Sequence, residues 1–359
     1  MTTMQRLGAP LLFSVLLFPA CGDDAPSETD GADAGTTSET SGTDTEDPDA
    51  PFVTVQEGIG GGVVLSGHSH ASGMTMVGGR LSSAPGVDPG GPGTVYWLQD
   101  GQLCRHSGVA DHTLWWIDGP GDDTWLAVGE RGTILRYDGE TVHDESVDTE
   151  AILYGVRASE PVIAVGGNPF GENTGEIWQR EDDGSWTRLH EDLPGVAFKI
   201  HQNWIVGTGV AWELMPDGSL VEHFPPDEAR LLTVQVRGED DVWAVGGSAT
   251  PTVIHWTGAA WETVAFAPAC GNGGLNGVWT EPGEDVWIAG FFGAMARYDG
   301  TDWTCSTPPA SFEHLHATWR HEGRQWWGGG NLLMAGGEQA LLGRQGGEPL
   351  DLTVVDCEL

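Results

Sequence analysis

Apolar and polar residues alternate in short runs along the chain, and the runs recur at a roughly constant interval. Strict alternation marks a half-buried strand, because successive side chains leave opposite faces of an extended backbone. The clearest unit is GLNGVWTEPGEDVWIAGFFGAMARYDGTDWTCS, from Gly274 to Ser306. It predicts strands at Leu275 to Thr280, Asp285 to Ala289, Ala294 to Tyr298 and Trp303 to Ser306, the last two joined by an Asp299-Gly300 turn. Asp-Gly between alternating runs is a strong hairpin signal, since both residues tolerate positive φ. Four strands in about forty residues describe one propeller blade.

The unit repeats. Turn pairs recur at Asp100-Gly101, Asp138-Gly139, Asp183-Gly184, Asp217-Gly218, Thr257-Gly258, Asp299-Gly300 and Gly346-Gly347. A second-strand pattern precedes each, with aligned positions Thr75, Trp125, Ile163, Trp204, Trp243, Trp287 and Trp327 spaced by 38 to 50 residues. Two independent series agree on the count, so the expected fold is all-β, a seven-bladed β-propeller with four antiparallel strands per blade. First strands are expected at Val63 to Gly67, Thr113 to Ile117, Ile152 to Val156, Ala197 to His201, Leu231 to Val236, Leu275 to Thr280 and Leu315 to Arg320. Tryptophan recurring at repeat positions reads as packing between blades. The outer strand of the last blade falls to Leu350 to Val355, with Phe52 to Val55 as the alternative.

Composition adds a compartment and removes some partners. The 359-residue chain carries 53 acidic and 15 basic residues, a net charge of −38, and Lys199 is its one lysine. Such a surface repels phosphate backbones, so nucleic acid is excluded as a partner. Residues 1–20 hold one early charge at Arg6 and an apolar run from Leu11 to Phe18, too short to span a bilayer, and read as an export signal. Residues 21–50 are acidic and rich in Ser, Thr and Gly, with no basic or aromatic residue. This segment cannot offset chain entropy by burial and is expected to be a disordered tether before the propeller of residues 51–359.

Two resemblances accompany these readings. Phe18-Pro19-Ala20-Cys21-Gly22 resembles the lipobox of bacterial lipoproteins, which implies lipidation of Cys21 and a membrane anchor, periplasmic or at the cell surface. D-G-T-D-W at Asp299 and D-G-S-W at Asp183 resemble the Asp-box repeat of bacterial neuraminidase-type propellers. From Gly62 to Val355 the array is similar to tryptophan-rich, Asp-box-related propellers of bacterial lipoproteins. The leading Ser of the Asp-box is missing, and the resemblance implies architecture, not activity.

Candidate chemistry is sparse. No nucleophile elbow, zinc-protease, phosphate-loop or calcium-loop motif is present. Carboxylates at Asp122, Asp123, Asp138, Asp183, Glu239, Asp240, Asp241, Glu284, Asp285 and Asp299 crowd one rim, where Asp suits turn geometry. Arg157, Arg237 and Arg320 end first strands and are expected to pair locally with Glu160, Glu239 and Glu322. Longer loops on the other rim expose Arg80, Asn168, Phe170, Asn173, Asn331 and Met334, and a shorter loop of blade six holds Phe291 and Phe292, all candidates for contact with a peptide or glycan. The alternative is a polysaccharide hydrolase or lyase, which requires paired carboxylates in an axial pocket. No cofactor is required, but His68, His70 and His321 align where the last blade meets the first and form a candidate zinc or copper site. Cys270 and Cys305 lie at similar places to Cys357 and Cys104 if the ring closes, so disulfides Cys270 with Cys305 and Cys104 with Cys357 are expected.

Overall fold

The computed structural model describes residues 54–80, 91–169, 171–306, 311–331, 340–346 and 350–358. Cys21, the export signal, the tether, Phe170 and Met334 lie outside these residues. Among the described residues there are seven sheets, six antiparallel ones of four strands and one of five with a parallel fifth strand. The architecture is a seven-bladed propeller. Its innermost strands are Val63–His70, Leu114–Asp118, Ile152–Arg157, Ala197–His201, Leu231–Gly238, Leu275–Trp279 and Leu315–His321.

Each innermost strand has a register shift near its start, at the same place in every blade. The residue skipped by the pairing is Leu65, Trp115, Tyr154, Phe198, Leu232, Asn276 or His316. Opposite the shift, the second strand always presents glycine: Gly78, Gly129, Gly166, Gly207, Gly246, Gly290 and Gly329. A Cβ there would lie 1.8 to 2.8 Å from a carbonyl oxygen at the start of the innermost strand. The recurring V-G-G and A-G of the sequence is therefore a close approach of two backbones, which no side chain can enter.

Seven buried clusters hold the blades together, one at each junction. Trp243 and Val245 of the fifth blade, for example, pack on Leu275, Val278 and Ile288 of the sixth. Counting back from the closing glycines aligns Thr75, Leu126, Ile163, Trp204, Trp243, Trp287 and Trp326. Trp125 and Trp327 are thus each one residue away from the expected register. A shift of one residue turns a strand side chain to the opposite face. Accordingly Trp125 packs against the preceding blade and Trp327 does likewise, while Trp204 and Trp326 pack against the following one.

Six of the expected turns are hairpins, and their chemistry differs from the sequence argument. Only Asp100-Gly101 has both residues at positive φ, 50° and 76°. At Asp138, Asp183, Asp217 and Asp299 only the glycine is left-handed, and the carboxylate accepts N–H bonds from residues two or three positions on. These carboxylates are occupied in shaping turns.

Ring closure corrects the expectation for the last blade. Its outer strand is Thr54–Glu57, antiparallel to Leu341–Arg344, and Gly346 does not open a hairpin to a C-terminal fourth strand. The C-terminal strand Thr353–Asp356 instead adds in parallel to Gln102–Ala110, the fourth strand of the first blade. Direction explains the exchange: a segment that ends beside Cys104 must leave the last blade, and Val354 and Leu352 then cover the cluster between blades seven and one. Gln56 ties both termini, donating to Leu352 O at 3.2 Å and accepting its N–H at 2.9 Å. Disulfides Cys104–Cys357 and Cys270–Cys305 form as expected.

The glycine rule is open to test at Gly246, whose φ is not left-handed, so that only contact opposes a side chain. A Cβ would lie 2.1 Å from Arg230 O. Gly246→Ala should lose about 1–3 kcal/mol in denaturant unfolding, whereas an unchanged midpoint would show that the strands can separate freely.

Candidate functional site

The skipped residues gather where the innermost strands meet. Trp115 and Tyr154 have ring centroids 4.9 Å apart, and Tyr154 and Phe198 are 5.1 Å apart. Leu232 and Val196 pack against the same group, and the Arg230 guanidinium lies 4.7 Å above the Phe198 ring. An aromatic track therefore crosses three consecutive blades, and Leu232 extends it to a fourth, at the rim where second strands pass to third strands. On the far side the equivalent positions are polar: Asn276 donates to Leu315 O at 2.8 Å, and His316 bonds Gly330 O at 3.1 Å. Burial pushes His316 down to about 4, so it is neutral near pH 7.

Beside Asn276 and His316 stands a second aromatic group. The loop Phe291–Gly293 holds Phe292 at φ 57°, a conformation that favours glycine, and leaves 56% of it exposed. Holding a bulky residue in this region costs on the order of 1 kcal/mol. Phe312 is 78% exposed, and the His314 ring lies 4.6 Å from Phe291 and 5.1 Å from Phe292. Phe292 N–H donates to His314 Nδ1, which places the remaining proton of a neutral ring on Nε2. Blade two has the same loop geometry at Glu130–Gly132, where Arg131 takes the left-handed place at φ 53°.

Below this rim a buried lysine bridges innermost strands. Lys199 is 5% exposed; its Nζ donates to Tyr154 O at 3.1 Å and sits over the Trp116 ring. It reaches Trp116 because Gly155, in the blade between them, offers no side chain. Burial holds the Lys199 amine well below the usual lysine range, against the opposing pull of Asp118. Asp118 accepts the Ala158 N–H at 2.8 Å, yet burial pushes its carboxyl up to about 6.

The sequence candidates divide. Phe291 and Phe292 belong to the mouth. Arg80, Asn168 and Asn173 are exposed on the same rim, Asn168 accepting the Gly171 N–H at 2.9 Å and Asn173 turning at φ 58°. Asn331 is half-buried beyond the last blade's second strand. His68, His70 and His321 lie near the ends of innermost strands at the opposite rim; His70 and His321 have separate hydrogen-bond partners, and the buried His68 Nε2 has none. His70 bonds Asp123 at 3.0 Å and Thr75 at 2.9 Å, His321 bonds Ser69 at 2.8 Å, and His68 and His70 have centroids 6.4 Å apart. Arg237 and Arg320 are paired, but with Asp241 and Glu284, and Arg157 donates to the carbonyls of Pro161 and Gln202; the expected glutamates are not their hydrogen-bond partners. None of the seven skipped residues is a carboxylate, so these positions hold no acid pair of the kind a glycosidase uses. Sequence reasoning missed the track. Its signal was an aromatic residue straight after a smaller one near three successive first-strand starts, Leu114-Trp115, Leu153-Tyr154 and Ala197-Phe198.

Asp118 supplies a pH test. Its folded pKa of about 6 exceeds the ordinary 3.8, so the stability it contributes is full below the lower value and is lost as pH rises through the higher. Asp118→Asn keeps an oxygen for Ala158 and removes this loss. Its melting temperature relative to wild type should climb between about pH 4 and 6 and then level off; parallel curves would mean that the carboxyl is not destabilised.

No family model matches the chain, and no curated relative does. Among solved structures, the chain is similar to YCF48 bound to D1 peptide, with TM-score 0.60 at 14% identity over 84% of this chain and 98% of that one. YCF48 from Cyanidioschyzon merolae gives 0.59 at 14% over 81% and 98%, and the RRP9 WD40 repeats give 0.59 at 7% over 83% and 99%. At such identities the likeness is one of fold, and the fold is the β-propeller.

Proposed function

We propose that this propeller is a recognition or assembly module that takes an extended, partly apolar segment of a partner protein across the axial mouth. The observation that carries the reading is the exposure of Phe292 and Phe312 on the rim that also holds the track, in which Trp115 is half-buried and Tyr154 and Phe198 are buried. Aromatic rings set around neutral Asn276 and His316 offer dispersion and a few polar contacts, which suit side chains and main chain of a peptide. The net charge of −38 steers basic segments towards the chain and repels acidic ones. The similar YCF48 propeller, whose structure holds a D1 peptide, supports the view that this fold accommodates such a ligand. A glycan is the competing ligand, since aromatic rings also stack on sugars.

The same reading places the head outside the cytoplasm on a lipidated Cys21, with residues 22–50 as a tether. Disulfide pairing of all four cysteines in the head supports an oxidising compartment. Metabolic labelling with palmitate should mark the wild type and not Cys21→Ala; equal labelling of both, or of neither, overturns the anchor.

For the mouth, peptide and glycan arrays probed with the chain should yield peptides combining an aromatic or aliphatic residue with nearby Lys or Arg. Phe292→Ala and Phe312→Ala should each weaken capture by about five- to fifty-fold, in the range of exposed hot-spot truncations, without lowering the melting temperature. Capture of glycans alone, or peptide capture indifferent to both variants, would reject the peptide reading.

A further inference from the structure

The outer strand of the first blade carries Cys104 and His106 two residues apart, so both side chains leave the same face. The C-terminal strand lies beside it with Val355 opposite Cys104, and Cys357 donates its N–H to Arg105 O at 3.1 Å. Three ligand atoms meet as a result. Cys104 Sγ lies 3.3 Å from His106 Nε2, and the two sulfurs and the imidazole nitrogen all fall within 4.8 Å of one another. Among the described residues no other set of three Cys, His, Asp or Glu converges this way. Cys270–Cys305 provides an internal contrast, being a crosslink with no third ligand beside it. His106 and Cys357 also line a cleft of about 760 Å³ between the first two blades, together with His112, Asp144 and Glu358. An ion therefore has a route in, and further oxygen and nitrogen donors stand along it.

We propose that Cys104, Cys357 and His106 form a metal site for a thiophilic d¹⁰ cation, Zn²⁺ or Cu⁺, in a reduced state of this junction that excludes the disulfide. A dithiol reductant breaks the S–S bond, supplying two electrons and two protons and leaving as its own disulfide. The cation then displaces both thiol protons and forms two metal–thiolate bonds, while His106 donates a ring-nitrogen lone pair. Zn²⁺ completes its tetrahedron with water or Glu358; Cu⁺ is satisfied by three ligands. With metal–sulfur bonds of about 2.3 Å, tetrahedral thiolates stand roughly 3.8 Å apart. The Cys side chains reach this by rotating away from the bonded position, and the Cys104–His106 separation of 3.3 Å is already close to that of two ligands on one ion. Either state fastens the C-terminal strand to the first blade. The inference does not depend on what the axial mouth binds.

The test uses the full chain reduced with a non-chelating phosphine, desalted without oxygen, and titrated separately with Zn²⁺ and Cu⁺ against a chromophoric chelator. One ion should be held per reduced chain and none per oxidised chain. Cys104→Ser and Cys357→Ser should each abolish uptake, and His106→Ala should weaken it by about tenfold or more. The Cys270→Ser/Cys305→Ser double variant should bind as wild type. Far-ultraviolet and tryptophan spectra report whether the reduced chain stays folded. The proposal is overturned if the reduced wild type takes up no ion, if it unfolds on reduction, or if uptake survives in Cys104→Ser. In the last case, loss of uptake in His70→Ala would move the ion to the histidines of the opposite rim.

Discussion

Seven innermost strands can converge on one axis only where side chains give way to backbone. Each blade meets this demand in the same two ways. Its second strand places glycine against the first-strand carbonyl, where a Cβ would overlap it, and its first strand admits one residue too many. The bulge follows from the crowding: it bends and twists the strand locally and leaves one residue out of the ladder. That spare residue is released from the strand ladder, and its identity varies from blade to blade. The ring's most uniform backbone feature thus produces its most variable side chains, from Phe198 to Asn276, at the rim where loops are longest.

Strain is placed at the same end. Phe292 holds a left-handed conformation and exposes its ring, and no buried cluster includes it. A residue that costs the fold both backbone energy and exposed apolar surface is better explained by contact with a partner than by stability. Below this rim the lone lysine reaches across the innermost strands to lie on Trp116.

Blade number, strand content and the two disulfides were legible in the sequence because each is written locally and repeated. Asp299-Gly300 and its equivalents mark hairpins whatever surrounds them. Register was less legible. Trp125 and Trp327 look interchangeable with Trp204 in the sequence, but each lies one position off, and in a strand one position is a change of face. Closure was ambiguous for a related reason: Thr54–Glu57 and Thr353–Asp356 are both short, alternating and near a terminus, and only pairing direction separates them. The aromatic track was hidden because its members come from separate blades and stand next to each other only in the ring. His106 was overlooked because the Cys104–Cys357 pair was read only as a crosslink, and the histidine two positions from Cys104 on the same strand face was not set beside it.

The central claim is that recognition occurs at the bulged rim. Hydrogen–deuterium exchange, with and without a captured ligand, locates the contact without altering the protein. Slowed exchange over residues 113–116, 152–155, 290–293 and 311–316 is the predicted footprint. Protection confined to the Asp-Gly turns of the opposite rim, or to the outer strands, would contradict the account.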